Sequence, residues 1–299
     1  MMLLFFRNVL VVSAALVLCG CASSSDVHFA AIGDTPYFES DTELENVSFA
    51  LNKMADRDIY FVVHVGDIIR GRTKCTESLY KKRGDVFSKS TIPFIITIGD
   101  NEFNDCKHPL KARERFRKVI LGNLALKQEV TGLSENSESV FITRQDNMIE
   151  NASWRIGGIT FVLLVLPDMP GTYPLSQSDA DYIIESNIKF LTDNFAQAKK
   201  ENNNAFVLIM HSNPATCAVE SCYKFLNIIK DEVRKFAKPV LLINGSNHDK
   251  EHIASNYFDI SNLSHLRPGN EPEVVWPEVW FSNEINKFQI KWHYEVDEL

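Results

Sequence analysis

The sequence predicts an α/β fold with a largely parallel sheet core, and two observations carry that prediction. Five apolar, strand-like runs, VHFAAIGD, IYFVVHVGD, PFIITIGD, AFVLIMH and PVLLINGSNH, each end on a metal-ligand type of residue: Asp34, Asp67, Asp100, His211 and His248. Between them, apolar residues recur at intervals of three and four, the helical period. Strands alternating with helices of this length build parallel sheets whose carboxyl ends gather along one edge, where open α/β proteins place their ligands. With 299 residues, 45% hydrophobic and 23% charged, the chain has the make-up of a globular protein with room for a sizeable core. No linker rich in Pro, Gly, Ser or like charge divides the body, so residues 27–299 read as one domain. A formal net charge of -8 disfavours nucleic acid as a general partner.

Taken in order, residues 1–20 read as an export signal. Arg7 precedes an apolar segment, Val9 to Leu18, too short to cross a bilayer comfortably. Its end, Leu18-Cys19-Gly20-Cys21, resembles the lipobox of bacterial lipoproteins, which implies cleavage after Gly20 and lipidation of Cys21. Residues 21–26, with Ser23 to Ser25, form a short tether. Ala22 rather than Asp after that cysteine resembles lipoproteins directed to the outer membrane. The expected location is the bacterial cell envelope, anchored by lipid to the outer membrane and facing the periplasm; a soluble secreted protein or an uncleaved anchor are the alternatives.

The first strand ends at Asp34. Ser40 with Glu43 has the form of a capping box for the helix marked by Leu44, Val47, Leu51 and Met54, so capping does not account for Asp34. The second strand ends at Asp67; within it His64 alternates away from the oily positions and reads as a supporting or structural residue. Arg70, Arg72 and Lys74 follow; they could contact a phosphate, but charges at a loop tip are ordinary and a solvated loop is the favoured reading. The third strand ends at Asp100, with Asn101 and Glu102 beside it, and at Asp67 and Asp100 a capping role stays open. Pro109 and Gly122 bracket a further helix. Two more are marked by Ile184, Ile188, Leu191, Phe195 and Ala198, and by Leu226, Ile229, Val233 and Phe236, on either side of the strand that ends at His211. After His248, Asp249 and His252 are spare ligand types, as is Asp168; His252 lies one turn from His248 if that segment is helical. Trp154, Trp276 and Trp280 read as packing residues.

Without Cys19 and Cys21, four cysteines remain, an even set suited to an oxidising compartment. Four allow three pairings. Closeness in sequence favours Cys217 with Cys222, which leaves Cys75 with Cys106; a zinc site is the rival reading, although no CxxC spacing is present. Three Asp and two His at converging strand ends would repel and titrate abnormally unless a cation sits among them. The five strand ends therefore read as a metal cluster.

In their order, GD, GD, GDNE, a lone His after a strand, and G-x-x-H, the motifs resemble the calcineurin-like metallophosphoesterases from roughly Val27 to His252. The resemblance implies a four-layer α/β/β/α sandwich and one or two divalent metal ions (Mn, Zn, Fe or Mg). It implies Asp34 on the first metal, Asp67 bridging both, Asp100 where the family has an Asn ligand, His211 on the second metal and His248 returning to the first. The implied activity is hydrolysis of a phosphoric ester, whether monoester, diester or pyrophosphate, by a metal-activated hydroxide. The substrate would be a phosphorylated small molecule or lipid. Asp67 and Asn101 would carry the chemistry, Asn101 donating to a phosphoryl oxygen, with Glu102 orienting Asn101 or a ligand.

Three departures each remove an imidazole. Pro36 stands for the His of the family's D-x-H, Ser246 for the first His of its GHxH, and Asn101 for the His that assists the leaving group. Asn101 cannot release a proton, which predicts a preference for esters whose leaving group departs unaided. The alternative is a degenerate lipoprotein that keeps the fold and acts as a binding or structural protein. IGDTPY together with GDNEFNDC resembles a style within the family in which a cysteine follows the GDNE segment, and this supports pairing Cys75 with Cys106.

Overall fold

The computed structural model describes residues 26–38, 40–124, 129–130, 140–271 and 275–294. The signal-like segment 1–20, Cys21 and Ser23 to Ser25 lie outside the described residues. In chain order the elements are β1 (His28–Ile32), α1 (Asp41–Ala55), β2 (Phe61–His64), α2 (Glu77–Phe87), β3 (Phe94–Ile96) and α3 (Pro109–Phe116). A π-helical turn, Arg117–Leu121, and α4 (Gly122–Leu124) continue α3. There follow β4 (Glu129–Val130), β5 (Val140–Phe141), β6 (Thr143–Gln145), β7 (Met148–Ile156), β8 (Ile159–Leu163), α5 (Gln177–Lys200), β9 (Ala205–Ile209), α6 (Glu220–Phe236) and β10 (Val240–Ile243). The chain closes with β11 (Glu251–Ile253), β12 (Leu263–Arg267), β13 (Val275–Ser282) and β14 (Lys287–Tyr294). Among the described residues no helix is long and apolar enough to cross a membrane.

One sheet has the order β14-β13-β1-β2-β3 and the other β11-β12-β10-β9-β8-β7-β6. The runs read as parallel strands are parallel: β1 with β2, β2 with β3, β9 with β10. Antiparallel β13 and β14 extend the first sheet, and β6, β7 and β11 flank the second, so both sheets are mixed.

Period-two alternation explains why these runs are oily throughout. In β1 and β2, Phe29, Ala31, Phe61 and Val63 pack inward against Trp154, Phe161, Leu163, Val207 and Ile243 of the facing sheet. Ala30, Ile32 and Val62 point the other way, onto Val47, Leu51 and Met54 of α1 and onto Tyr80 and Phe87 of α2. On the far side Val162, Phe206, Leu208 and Leu242 meet Ile184, Leu191 and Phe195 of α5 and Ile229 and Val233 of α6. Three cores thus separate four layers, α/β/β/α.

Two local expectations change. Gly122 does not end the third helix: the chain winds through the π-turn and remains helical to Leu124. At α1, Ser40 caps as expected, its Oγ accepting from the Glu43 amide at 3.2 Å, but the Glu43 carboxylate takes the backbone amides of Tyr37 and Phe38. The box is therefore half closed, and Glu43 instead pins the loop that follows Asp34 to α1.

Candidate metal centre

The loops leaving β1, β2, β3, β9 and β10 come together at the carboxyl ends of these strands. Backbone hydrogen bonds tie them together: Asp34 N–H to the Gly66 carbonyl at 2.9 Å, and Gly245 N–H to the His211 carbonyl at 2.7 Å. Such close approach needs glycine. A Cβ on Gly66, whose φ is +96°, would stand 2.7 Å from the Gly99 nitrogen and 2.9 Å from His211 Nδ1. A Cβ on Gly99 would overlap Asp67. Asp34 and Asp67 themselves have φ of 53° and 60°, left-handed values that cost a non-glycine residue about 1 kcal/mol and that Asp tolerates better than most. Strain of this kind collects at functional sites.

At the centre, Asp67, Asp100 and His211 each offer a ligand atom within 4.8 Å of the others. His211 Nδ1–H donates to the Val65 carbonyl at 2.8 Å, which turns Nε2 toward Asp100 Oδ1 at 2.8 Å and Asp67 Oδ1 at 3.4 Å. A backbone acceptor on one nitrogen that aims the other is how proteins orient a metal-binding imidazole. Beside this trio lies a second pair, His248 Nε2 standing 4.0 Å from Asp34 Oδ1. Asp34 is fully buried, whereas the His248 side chain is 44% exposed, so the cluster opens to solvent on the His248 side.

The electrostatics are those of anions crowded together. Burial pushes Asp34 up to about 6 despite the lowering pull of His211, His248 and the nearby Ser246 amide, and no hydrogen bond of ordinary geometry reaches either carboxylate oxygen. Burial likewise drives Asp67 well above the carboxylate range, reinforced by Asp100 and Glu102 against the opposing pull of His211. Burial also acts to raise Asp100, but the hydrogen bond and charge of His211 outweigh it and hold this carboxyl low. His211, although burial works against its charge, is pushed well above its ordinary value by Asp67, Asp100 and Asp34. A buried carboxylate without a donor costs several kcal/mol. The unpartnered Asp34 oxygens, the adjoining carboxylates and the aimed imidazole fit a divalent cation with oxygen and nitrogen ligands.

The neighbours hold this set in place. Glu102 does not reach Asn101, as the sequence suggested it could. Its fully buried carboxylate accepts from the amides of Gly99 at 2.6 Å, Asp67 at 3.0 Å and Ile68 at 3.1 Å, clamping the loops after β2 and β3 to each other. His64 is buried as a neutral link: Nε2–H donates to the Thr35 carbonyl at 2.6 Å and Nδ1 accepts from Gly66 N–H at 3.0 Å, burial holding its pKa down to about 3. Asn101 differs from expectation. Its side-chain amide donates to Asp67 Oδ2 at 2.7 Å and its backbone N–H to Oδ1 at 3.2 Å, so it fixes the Asp67 carboxylate rather than facing an open phosphoryl site.

Of the spare ligand types, Asp168 accepts from Ser246 Oγ at 2.6 Å, placing it at the position where an imidazole is missing. His252 sits exposed in strand β11, so the segment after His248 is not helical. Cys75 bonds Cys106 and Cys217 bonds Cys222, each pair with Cα atoms 5.9 Å apart. Tyr37, which the sequence reading passed over, packs its ring edge-on to His248 at 4.8 Å and brings its hydroxyl to the Asn101 side chain. Its signal was its place within GDTPY, three residues after the first ligand type.

No family model matches the sequence, and no curated protein matches it. Among solved structures the chain is similar to a dimetal phosphatase from Danio rerio, with 13% identity over 91% of this chain and 98% of that one and a TM-score of 0.60. It is also similar to a purple acid phosphatase from yellow lupin (Lupinus luteus) seeds, with 12% identity, a TM-score of 0.57, and coverage of 92% of this chain but 52% of the lupin chain. This chain has the calcineurin-like metallophosphoesterase fold. Of the five strand ends picked out in the sequence, Asp67, Asp100 and His211 form one close cluster, with buried Asp34 beside it and half-exposed His248 4.0 Å from Asp34.

Proposed function

We propose that this protein is a metal-dependent phosphoric ester hydrolase, held at the bacterial cell envelope by lipid on Cys21. The observation that carries the reading is the buried Asp67–Asp100–His211 trio beside the unpartnered Asp34 carboxylate, in a fold shared with phosphatases. Asp67, Asp100 and His211 would hold one divalent cation, and Asp34, Asp67 and His248 a second. When bound, such a cation lowers the pKa of a water and neutralises charge developing on phosphoryl oxygens.

The chain's own residues set the geometry. Asn101 locks the Asp67 carboxylate in one orientation, Val65 fixes the His211 ring, and Glu102 keeps the two loops in register. Since Asn101 is committed to Asp67 and carries no transferable proton, the leaving group departs without a side-chain acid at that position. Loss of such an acid costs about 10²–10⁴-fold, so aryl esters and pyrophosphate bonds should outrun alkyl esters. A panel of phosphate esters assayed in Mn²⁺, Zn²⁺, Mg²⁺ and chelator tests the reading. Hydrolysis abolished by both chelator and Asp67→Asn supports it; a protein that takes up metal yet turns over none of the panel refutes it. That second outcome would select a binding protein on the same fold, the reading favoured by the three replaced imidazoles at Pro36, Asn101 and Ser246.

A further inference from the structure

Next to the cluster lies a separate cleft of about 540 Å³. Its lining includes Arg72 and Lys74 from the loop after β2, Lys107 from the loop before α3, and Lys111 and Arg115 from α3 itself. The Cys75–Cys106 disulfide lines it as well. The Arg72 loop is solvated, as the sequence suggested, with Arg72 and Lys74 exposed, yet a chain with net charge -8 gathers five cations around this cavity, Lys107 and Lys111 exposed and Arg115 half-buried.

Partners within the protein do not explain the gathering. Arg115 donates to the Cys75 carbonyl, but among the described residues Arg72, Lys74, Lys107 and Lys111 pair with no carboxylate. Asp105 is the one acid in the lining, and its Oδ1 accepts from the Thr172 amide at 2.7 Å. The N-terminus of α3, which starts at Pro109 and which no side chain caps, borders the same space and adds the positive end of the helix dipole to the field there. Like charges held together repel, and the field they make draws in an anion. Arg and Lys with free N–H groups are the usual phosphate-binding chemistry.

The cleft also abuts the cluster. Cys106 Sγ lies 3.4 Å from the Asn101 carbonyl, and a Cβ on Gly71, the residue before Arg72, would stand 2.7 Å from Asn101 Oδ1. One residue, Asn101, thus separates the basic cleft from Asp67.

We propose that this cleft seats a second, unreacting phosphoryl group, so that the substrate is a soluble small molecule carrying two or more phosphates. At the cluster, water adds across one P–O ester bond to give an alcohol and inorganic phosphate; the cleft makes no covalent bond and only anchors the other phosphate. The substrate class rests on the hydrolase reading above, whereas anion binding in the cleft does not.

Calorimetric titration with inorganic tripolyphosphate, in chelator, separates the two. Wild-type protein binds it, more weakly as salt rises. Arg72→Gln with Lys111→Gln weakens binding at least about tenfold, the loss expected for two charge-assisted contacts. Lys74→Gln with Lys107→Gln provides a second pair should the first not fold, and Lys189→Gln with Lys224→Gln, on α5 and α6, is the control for lost charge alone. In turnover, the ratio of kcat/KM for a bisphosphate ester to that for an aryl monophosphate falls by the same factor in the cleft variants. Equal tripolyphosphate binding by wild-type and both cleft pairs, or an unchanged ratio, overturns the proposal. Displacement of tripolyphosphate by anionic phospholipid vesicles overturns it too, by assigning the cleft to a membrane surface. Cleft-dependent binding without hydrolysis of any ester upholds the cleft and refutes the hydrolase reading.

Discussion

Asp34 is the least satisfied residue of the cluster, with half-exposed His248 4.0 Å away and no hydrogen bond of ordinary geometry to either carboxylate oxygen. Its carboxylate is buried, unpartnered and held up near about 6 by desolvation, in a left-handed backbone conformation. A residue that costs stability in this way is kept for its charge. Asp34→Asn should therefore raise the stability of the metal-free protein by about 2 kcal/mol at neutral pH, while abolishing the further gain that Mn²⁺ gives the wild type. Thermal unfolding with chelator and with Mn²⁺ reads both effects, and a variant less stable in chelator would count against the account. Glu102 acts at one remove. Glu102→Gln turns an amide donor onto backbone N–H groups it must accept from, which should weaken metal affinity by about 10–100-fold with the far-ultraviolet spectrum retained; metal titration checks it. The clustered positions were legible because an acid or imidazole ending an oily run has few other reasons to be there. What Asn101, Ser246 and Tyr37 contact was not legible, since those partners come from loops distant in sequence.

At the scale of elements, α3 carries two of the five cations of the basic cleft, Lys111 and Arg115, and one buried acid holds it down. Glu150, on β7, accepts from Arg113 Nε at 2.6 Å and Arg117 Nε at 2.6 Å, joining α3 and the π-turn to the second sheet. Burial would raise this carboxyl, but Arg117 and Arg113 outweigh it and hold the pKa below the ordinary 4.5. A depressed folded-state pKa means the stabilisation is complete above about 4.5 and is lost as pH falls through the lower, folded-state value. Glu150→Gln should thus cost about 3–5 kcal/mol at neutral pH, as expected when a buried pair is broken, with the difference from wild type shrinking below pH about 4.5. Denaturant unfolding at several pH values measures this, and a difference independent of pH would refute it. The helices and five strands that the sequence reading named were legible from period and end signals. Strand β8 was not singled out, because its oily run delivers no ligand. In β13, Pro277 argues against a strand; the chain tolerates it because pairing with β1 spans only Glu278, Val279 and Trp280, leaving Pro277 opposite Trp292 of β14 alone. Gly122 misled because a π-turn carries the helix through it.

For the whole molecule, the four-layer arrangement was legible through the family resemblance, and its largely parallel core through the alternation of elements. The mixed character of the sheets came from strands with weak patterning, such as β14, of whose residues only Phe288 and His293 are buried. Two disulfides brace the assembly. Chain entropy ranks them: Cys75 and Cys106, separated by 31 positions, stabilise by about 3–4 kcal/mol, against about 2 kcal/mol for Cys217 and Cys222, separated by 5. Thermal unfolding of the two double-Ser variants should show that order, and the reverse order would refute the ranking. All of these parts serve one claim, that five strand ends from two sheets converge to hold a divalent cation. Equilibrium titration of metal-stripped protein with Mn²⁺, read as bound metal per chain for wild type and Asp67→Asn, tests it most directly. The account predicts one or two ions bound by the wild type and none held with comparable affinity by the variant; a wild type that binds none, or a variant that binds as the wild type does, would contradict it.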